Sequence, residues 1–252
     1  MEKRKDAQIY ILCHKPVDYG IWDDFLYTPL QMGNGERFCD LRDSDEEDNI
    51  SEWNGIYAEC TGTYFIWKHC HPTDFKGQCQ YRRRLHFPVD FDFNTVFKDF
   101  DVIVGSPLMT AGTVRGLYEG CHSKKDMELL EEVVKSLYPD YAKDFENILT
   151  RGKYMFYSNS FVMRAEHYDQ YAEWLFNILG EFCRRRNWDT PEKARKDIKY
   201  DIKQGLRRNH RSIVYQQQVC GFMSERLLTL YLLHNYDWKR IMCWKWEKYE
   251  GV

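Results

Sequence analysis

Three consecutive arginines, Arg82, Arg83 and Arg84, stand in the run GQCQYRRRLHF (77–87). A solvated charge run has polar neighbours, whereas this one closes an apolar, strand-like stretch. A guanidinium is planar and donates paired, charge-assisted hydrogen bonds, which suits phosphate. Two readings follow: a diphosphate-bearing ligand at a strand end, or ion pairing with acidic neighbours such as Asp90 and Asp92. Those aspartates have chemistry of their own. Asp90-Phe91-Asp92 and Asp99-Phe100-Asp101 share the D-x-D form that can hold a divalent cation against a diphosphate. The tripeptide is common, and turns or helix caps are its ordinary use.

Two other strand-like stretches also end in polar groups that a core would not require, Cys13-His14-Lys15 and Ser158-Asn159-Ser160. Ligands of open α/β sheets bind beyond the carboxyl ends of strands. Glu225 sits among apolar residues in GFMSERLL (221–228) and is either paired with a neighbour such as Arg226 or poised as a base. Tyr64, Trp67, Trp174 and Phe176 form aromatic stripes that serve packing or sugar stacking. His69, Cys70, His71 and Cys79 are spaced too tightly for an ordinary zinc site. The sequence has no GxxxxGK[ST], GxGxxG or GxSxG, so P-loop, dinucleotide and nucleophile-elbow chemistry find no support.

These residues need elements to position them. A first strand is expected over 8–13, followed by an acidic surface loop over 33–48. Asn49 or Ser51 caps a helix, with Glu52 in its first turn, and Ile56, Cys60, Tyr64 and Trp67 carry the helical period to about His69. Strands are expected over 78–83, 101–104 and 154–163. Helices are expected over 124–137, from Pro139 to about Leu149, over 166–186 and over 219–234. The segment 190–212 is polar and basic, and 240–246 is a last strand or tail. Short strands alternating with helices predict a layered α/β domain around a mostly parallel sheet. It reads as one domain, 1–252, with a helical C-terminal part from about residue 166.

Length and composition agree with a globular chain: 252 residues, 43% of them hydrophobic and 16% aromatic, are incompatible with disorder. The formal charge of −3 argues against general nucleic-acid binding, and the arginine runs 184–186 and 207–211 lack interleaved aromatics. Any anion site is therefore local. Nine cysteines without a CxxC pair, behind a charged start (MEKRKDAQ), point to free thiols in a reducing cytoplasm. No apolar run reaches the ~20 residues of a membrane span. A peripheral contact with the inner face of the cell membrane is expected from two features. These are Cys183-Arg184-Arg185-Arg186, and Trp238, Trp244 and Trp246 interspersed with Lys239, Arg240, Lys245 and Lys248.

Taken together, DNISEWNGIYAECTGTYFIWKH (48–69), QYRRRLHF (80–87), FDVIVGSP (100–107), YMFYSNSFVM (154–163), YAEWLFNIL (171–179) and GFMSERLLTLYL (221–232) fall in order along the chain. They resemble the bacterial family labelled domain of unknown function 4422. Its members occur among capsular and exopolysaccharide synthesis proteins and are regarded as glycosyltransferases with a GT-A-like fold. The resemblance spans about residues 8–246. Two positions depart from it: Gln80 replaces a usual histidine, and YSNSFVM replaces N-M-F-I-M.

The resemblance implies a GT-A-like hexosyltransferase moving a sugar from a nucleotide-diphosphate donor, a UDP-sugar, to a glycan or lipid-linked saccharide acceptor. Tyr10, Cys13 and His14 would face the nucleotide, and Asn49 and Asn54 would hold the base, ribose or sugar. Arg82 and Arg83 would neutralise the leaving diphosphate. Glu225 would deprotonate the acceptor if the anomeric centre inverts, with Asn159 and Trp67 on the sugar side. Enzymes of this fold commonly use Mn2+ or Mg2+, for which Asp90 and Asp92 are the candidates. The rival class is a non-catalytic nucleotide-sugar or carbohydrate-binding protein, which would not need Glu225.

Overall fold

A computed structural model describes residues 6–16, 25–70, 73–207 and 212–248. Its strands are β1 (Ala7–Cys13), β2 (Tyr27–Gln31), β3 (Leu41–Arg42), β4 (Phe75–Gln80), β5 (Arg83–Leu85), β6 (Val102–Gly105), β7 (Leu108–Met109), β8 (Tyr154–Met155), β9 (Phe161–Arg164), β10 (Ile241–Trp244) and β11 (Trp246–Lys248). The main sheet runs β10-β6-β9-β4-β1-β2-β3, and β9 is the one antiparallel strand on that path. β5 folds back on β4 and is joined by β11, while β7 and β8 form a separate ribbon.

Both faces of the sheet are covered, which is why β6, β9 and most of β1 read as apolar runs. Ala7, Ile9, Ile11 and Cys13 of β1 point to a layer containing Phe87, Phe93 and Phe97. Leu12 points to the other face, which packs under the helices α1 (Cys60–His69), α2 (Lys124–Leu137), α3 (Ala165–Arg185), α4 (Pro191–Lys203) and α5 (Val219–Asn235). α5 is buried on nearly every side, as its uniformly apolar sequence requires. The mixed α/β fold with a mostly parallel sheet flanked by helices is therefore present.

Several elements differ from expectation for identifiable reasons. The helix expected over 49–69 breaks at Ala58, whose φ is +48°, leaving Ser51–Trp53, Asn54–Tyr57 and α1 as separate pieces. The strand over 78–83 ends at Gln80, and Tyr81-Arg82 turns the chain into β5. The stretch 154–163 is two short strands around a turn in which Ser158 (φ +68°) and Asn159 (φ +46°) are both left-handed. The helix after Pro139 is a 3-10 turn, one α-turn and a π segment. The basic segment after residue 190 is mostly α4, capped by Thr190 Oγ1 accepting from Lys193 N–H at 3.3 Å. It was illegible because Asp201, not an apolar side chain, occupies part of its buried face. Within the acidic 33–48 segment, Asp43 is buried and accepts from Gly33 N–H at 3.0 and 3.1 Å. His71, residues 208–211 and the N-terminal MEKRK lie outside the described residues.

The break at Ala58 and the start of α5 fit one another closely. A Cβ on Gly221 would lie 2.6 Å from Ala58 Cβ and 3.3 Å from the Tyr57 carbonyl oxygen. Gly221→Ala should destabilise the fold by about 1–3 kcal/mol, the usual magnitude of overpacking. Adding Ala58→Gly should restore most of the loss, because it removes both the clash and the positive-φ strain. A thermal melt of the single and double variants checks this; an unperturbed Gly221→Ala melt would refute the close approach.

Candidate active site

The sheet order reverses beside β1. β2 and β3 extend on one side and β4 lies on the other, parallel and in register from Ala7↔Phe75 to Leu12↔Gln80. A crevice opens beyond the carboxyl ends of two such strands. Here the residues that follow them meet: Tyr81 Oη is 3.3 Å from His14 Nε2, and the two rings pack edge to face. The Arg82 guanidinium lies 5.1 Å from the Tyr81 ring centre, and that of Arg83 lies 4.6 Å from the Tyr157 ring. Among the described residues neither arginine has an ion pair, so the pairing with Asp90 and Asp92 does not form. Burial, and then the charges of Arg82 and Lys15, hold the His14 imidazole below its usual pKa. A cleft of about 410 Å³ continues from here past His14, Lys15, Gln31, Arg37 and Phe38.

Behind the arginines lie two carboxylates from different elements. Glu59 stands between the Ala58 break and α1; its Oε1 accepts from Gln80 Nε2 at 3.1 Å and Asn159 Nδ2 at 2.9 Å. Glu225 comes from the second turn of α5. Its Oε1 accepts from Ser158 N–H at 3.0 Å, and its Oε2 accepts from Arg226 Nη1 at 3.0 Å. Consecutive residues of one turn thus hold both carboxylates, Ser158 by its backbone and Asn159 by its side chain. Asn159 Nδ2 also donates to Ser224 Oγ at 2.7 Å, and Ser224 Oγ donates to the Gly221 carbonyl at 2.7 Å. Asn159 Oδ1 is buried and is left as an acceptor without a hydrogen-bond partner.

These surroundings alter proton affinity. Burial pushes the Glu225 carboxyl up to about 7; the proximity of Glu59 adds to this, while Arg226, Ser158 N–H and Arg83 oppose it. Glu59 is also raised by burial, although part of its surface still meets solvent, and its hydrogen bonds from Asn159 and Gln80 act in the other direction. A carboxylate that exchanges its proton near neutral pH is suited to general acid–base work. Glu225 is thus both of the things its sequence context allowed, paired and desolvated.

The remaining sequence candidates are dispersed. His14 and Arg82 adjoin Tyr81 at the crevice, and Arg83 lies beside Tyr157, with Asn159 and Glu225 buried behind them. Tyr10 lies mid-strand under the helical layer, and Cys13 is buried on the opposite face with Sγ donating to Ile11 O at 3.2 Å. Asn54 Nδ2 donates to Ala58 O and Thr61 Oγ1, fixing the loop beside Gly33. Asn49 Oδ1 accepts from Ser51 N–H and Oγ–H, so it organises the start of its helical turn. Trp67 stacks on Phe176 of α3 at 5.8 Å, with Lys68 Nζ over its other face. Asp92 caps the helix Phe93–Asp99 through Thr95, and Phe93 stacks on Phe75, the first residue of β4. Asp92 is thus engaged as a helix cap beside the first residue of β4, whereas Arg82 lies two residues beyond its last. Among the described residues no three His, Cys, Asp or Glu side chains cluster as metal ligands. The residues that sequence reasoning left without a role are Glu59, Gln80, Tyr157 and Ser224. Glu59 carried a signal in ECTG (59–62), but a single glutamate within an expected helix reads as solvated.

The family model for a domain of unknown function, DUF4422, matches residues 8–198. The chain belongs to that family. The match covers the segments bearing His14, Glu59, Arg82, Arg83 and Asn159, and it ends before α5 and Glu225. No curated protein matches this DUF4422 chain in sequence. A similar solved structure is the apo form of the bifunctional glycosyltransferase WbbM, with a TM-score of 0.70 and 20% identity. The likeness covers 97% of this chain and 45% of WbbM, so the chain spans less than half of that protein. At that identity the likeness is one of fold.

A raised carboxyl has a stability signature. Between the ordinary glutamate value of 4.5 and about 7, folded Glu225 keeps a proton that the unfolded chain has lost. Stability therefore falls as pH rises through that window and levels off above it. Glu225→Gln removes this slope, so its stability relative to the parent should improve with pH by on the order of 3 kcal/mol between pH 4.5 and 7. Urea unfolding at a series of pH values measures this; parallel profiles for the two proteins would show that Glu225 titrates normally.

Proposed function

We propose that this DUF4422 chain is a glycosyltransferase that moves a sugar from a nucleotide-diphosphate donor, most simply a UDP-sugar, to a glycan or lipid-linked saccharide acceptor. The observation that carries the reading is the juxtaposition beyond β4 of Arg82 and Arg83, without ion pairs among the described residues, and two carboxylates, Glu225 buried and Glu59 half-buried. The cations meet the charge that grows on a leaving diphosphate, an electrostatic contribution present only as the bond breaks. Tyr81 and Tyr157 support the guanidinium planes from beneath. Membership of the family and a fold shared with WbbM, itself a bifunctional glycosyltransferase, support the same reading.

In this scheme the donor lies along the crevice beyond β1 and β4, with its nucleotide toward His14 and the cleft past Gln31. Glu225 takes the acceptor proton if the anomeric centre inverts. The Ser158-Asn159 turn keeps its carboxylate oriented. Asp92 is engaged as a helix cap, and no step is assigned to a cation at Asp90 and Asp92. Participation of Mn2+ or Mg2+ is read directly from turnover after exhaustive chelation.

Incubation with a panel of nucleotide sugars, followed by assay of nucleotide release, tests the activity. Arg82→Ala and Arg83→Ala should each weaken donor binding by about 1.5–3 kcal/mol with an unchanged melt. Glu225→Gln should lower turnover roughly 10²–10⁴-fold and abolish the acidic limb of its pH profile near 7, leaving donor binding intact. Donor binding without turnover in any form would identify the rival class, a non-catalytic sugar-nucleotide binder. Unchanged donor affinity in both arginine variants would remove the reading altogether.

A further inference from the structure

Part of the basic surface that the sequence offers to a membrane is ion-paired or packed, while Trp238, Lys239 and Lys245 stay exposed. Arg184 and Arg185 both pair with Glu181, and Arg186 pairs with Asp126, Asp197 and Asp201. At the C-terminal end, Arg240 pairs with Asp101, Trp244 Nε1 donates to His86 O, and Trp246 packs against Gly105. A denser cationic surface lies on α4, where it arises from the way the fold sorts the charges. α4 contains both signs, but Asp197 and Asp201 turn inward to Arg186, and Asp197 also accepts from Trp188 Nε1 at 2.7 Å. Glu192 pairs with Arg195 and Lys193 with Asp189. Lys196, Lys199 and Lys203 have no ion pair among the described residues and share the outer face with Tyr200, which is 58% exposed. Arg195, these lysines and Tyr200 border one shallow depression of about 460 Å³.

The neighbouring helix Ile213–Gln217 packs against α4 and exposes Ile213 (50%) and Val214 (66%). Aliphatic side chains gain nothing from a phosphate backbone, but they gain from burial at the headgroup–acyl boundary, where lysine stems also settle. We infer that this face, Lys196, Lys199, Tyr200 and Lys203 with Ile213 and Val214, docks the protein on an anionic phospholipid surface. The inference stands apart from the transferase reading, since it concerns a different face and needs no turnover.

Co-sedimentation with vesicles tests it, using phosphatidylcholine alone and phosphatidylcholine mixed with phosphatidylglycerol. The full chain should pellet with the mixed vesicles at low salt and stay in solution with the neutral ones. Neutralising Lys196, Lys199 and Lys203 to Gln should lower partitioning by about fivefold per lysine, with an unchanged melt because all three are exposed. Ile213→Ser with Val214→Ser should lower partitioning at raised salt, where the electrostatic part is screened. Lys239→Gln with Lys245→Gln should leave it unchanged. Failure to pellet, equal binding to neutral vesicles, or undiminished binding of the triple lysine variant would overturn the proposal. Tighter association with a single-stranded oligonucleotide than with the mixed vesicles would assign the face to nucleic acid and would also overturn it.

Discussion

Two carboxylates withdrawn from water beside one another are unfavourable, because each loses hydration and each repels the other's charge. Glu59 and Glu225 are held in this relation, and the rest of the site is built around it. The counterweights are specific: Gln80 and Asn159 donate to one carboxylate, while Ser158 N–H and Arg226 donate to the other. The Ser158-Asn159 turn contributes to both, and its two positive φ angles are the strain that this dual engagement requires. Ala58 carries a third, immediately before Glu59, where the chain leaves helical geometry so that α1 can begin facing the crevice. Left-handed backbone at three non-glycine positions, all adjoining the same pair of acids, belongs to a site rather than to a core.

Arg82 and Arg83 face the acids from the other side. Their guanidinium groups rest on aromatic rings and have no carboxylate partners, so their charge stays directed at whatever enters the crevice. Arg84 shows the contrast within the same run: it points inward, is fully buried, and donates through Nε to the Tyr81 carbonyl. One residue of a strand separates an anion-facing arginine from a structural one, because successive side chains alternate faces. Gln80, which departs from the family pattern, keeps a donor on Glu59 that an imidazole N–H could also supply.

The distribution of charge elsewhere follows the same logic of pairing inside and exposure outside. The Asp126, Asp197, Asp201, Arg186 and Arg207 network absorbs acids and bases drawn from three regions of the chain. What remains uncompensated on α4 is cationic, although the chain as a whole carries −3. Net charge is therefore a poor guide to the character of any one face.

Some of this was determined by the sequence alone. Apolar runs at 8–13 and 101–104, the 3.6-residue period over 166–186 and the apolar helix around Glu225 each carry their own signal, because burial imposes a period that local residues must satisfy. The arginine run and Glu225 were legible for the same reason: charge in an apolar context has few explanations. What only the tertiary structure decided is which of these meet. Glu59 read as an ordinary mid-helix glutamate until Gln80 and Asn159, 21 and 100 positions away, closed on it. Asp92 read as either a helix cap or a cation ligand until its helix packed at the start of β4 with Asp92 as the cap. The basic run 184–186 read as a surface until an acid from α2 and two from α4 came to lie beside Arg186. Contacts between residues far apart in the chain leave no periodic trace, so a side chain's role in them is set only when the sheet closes.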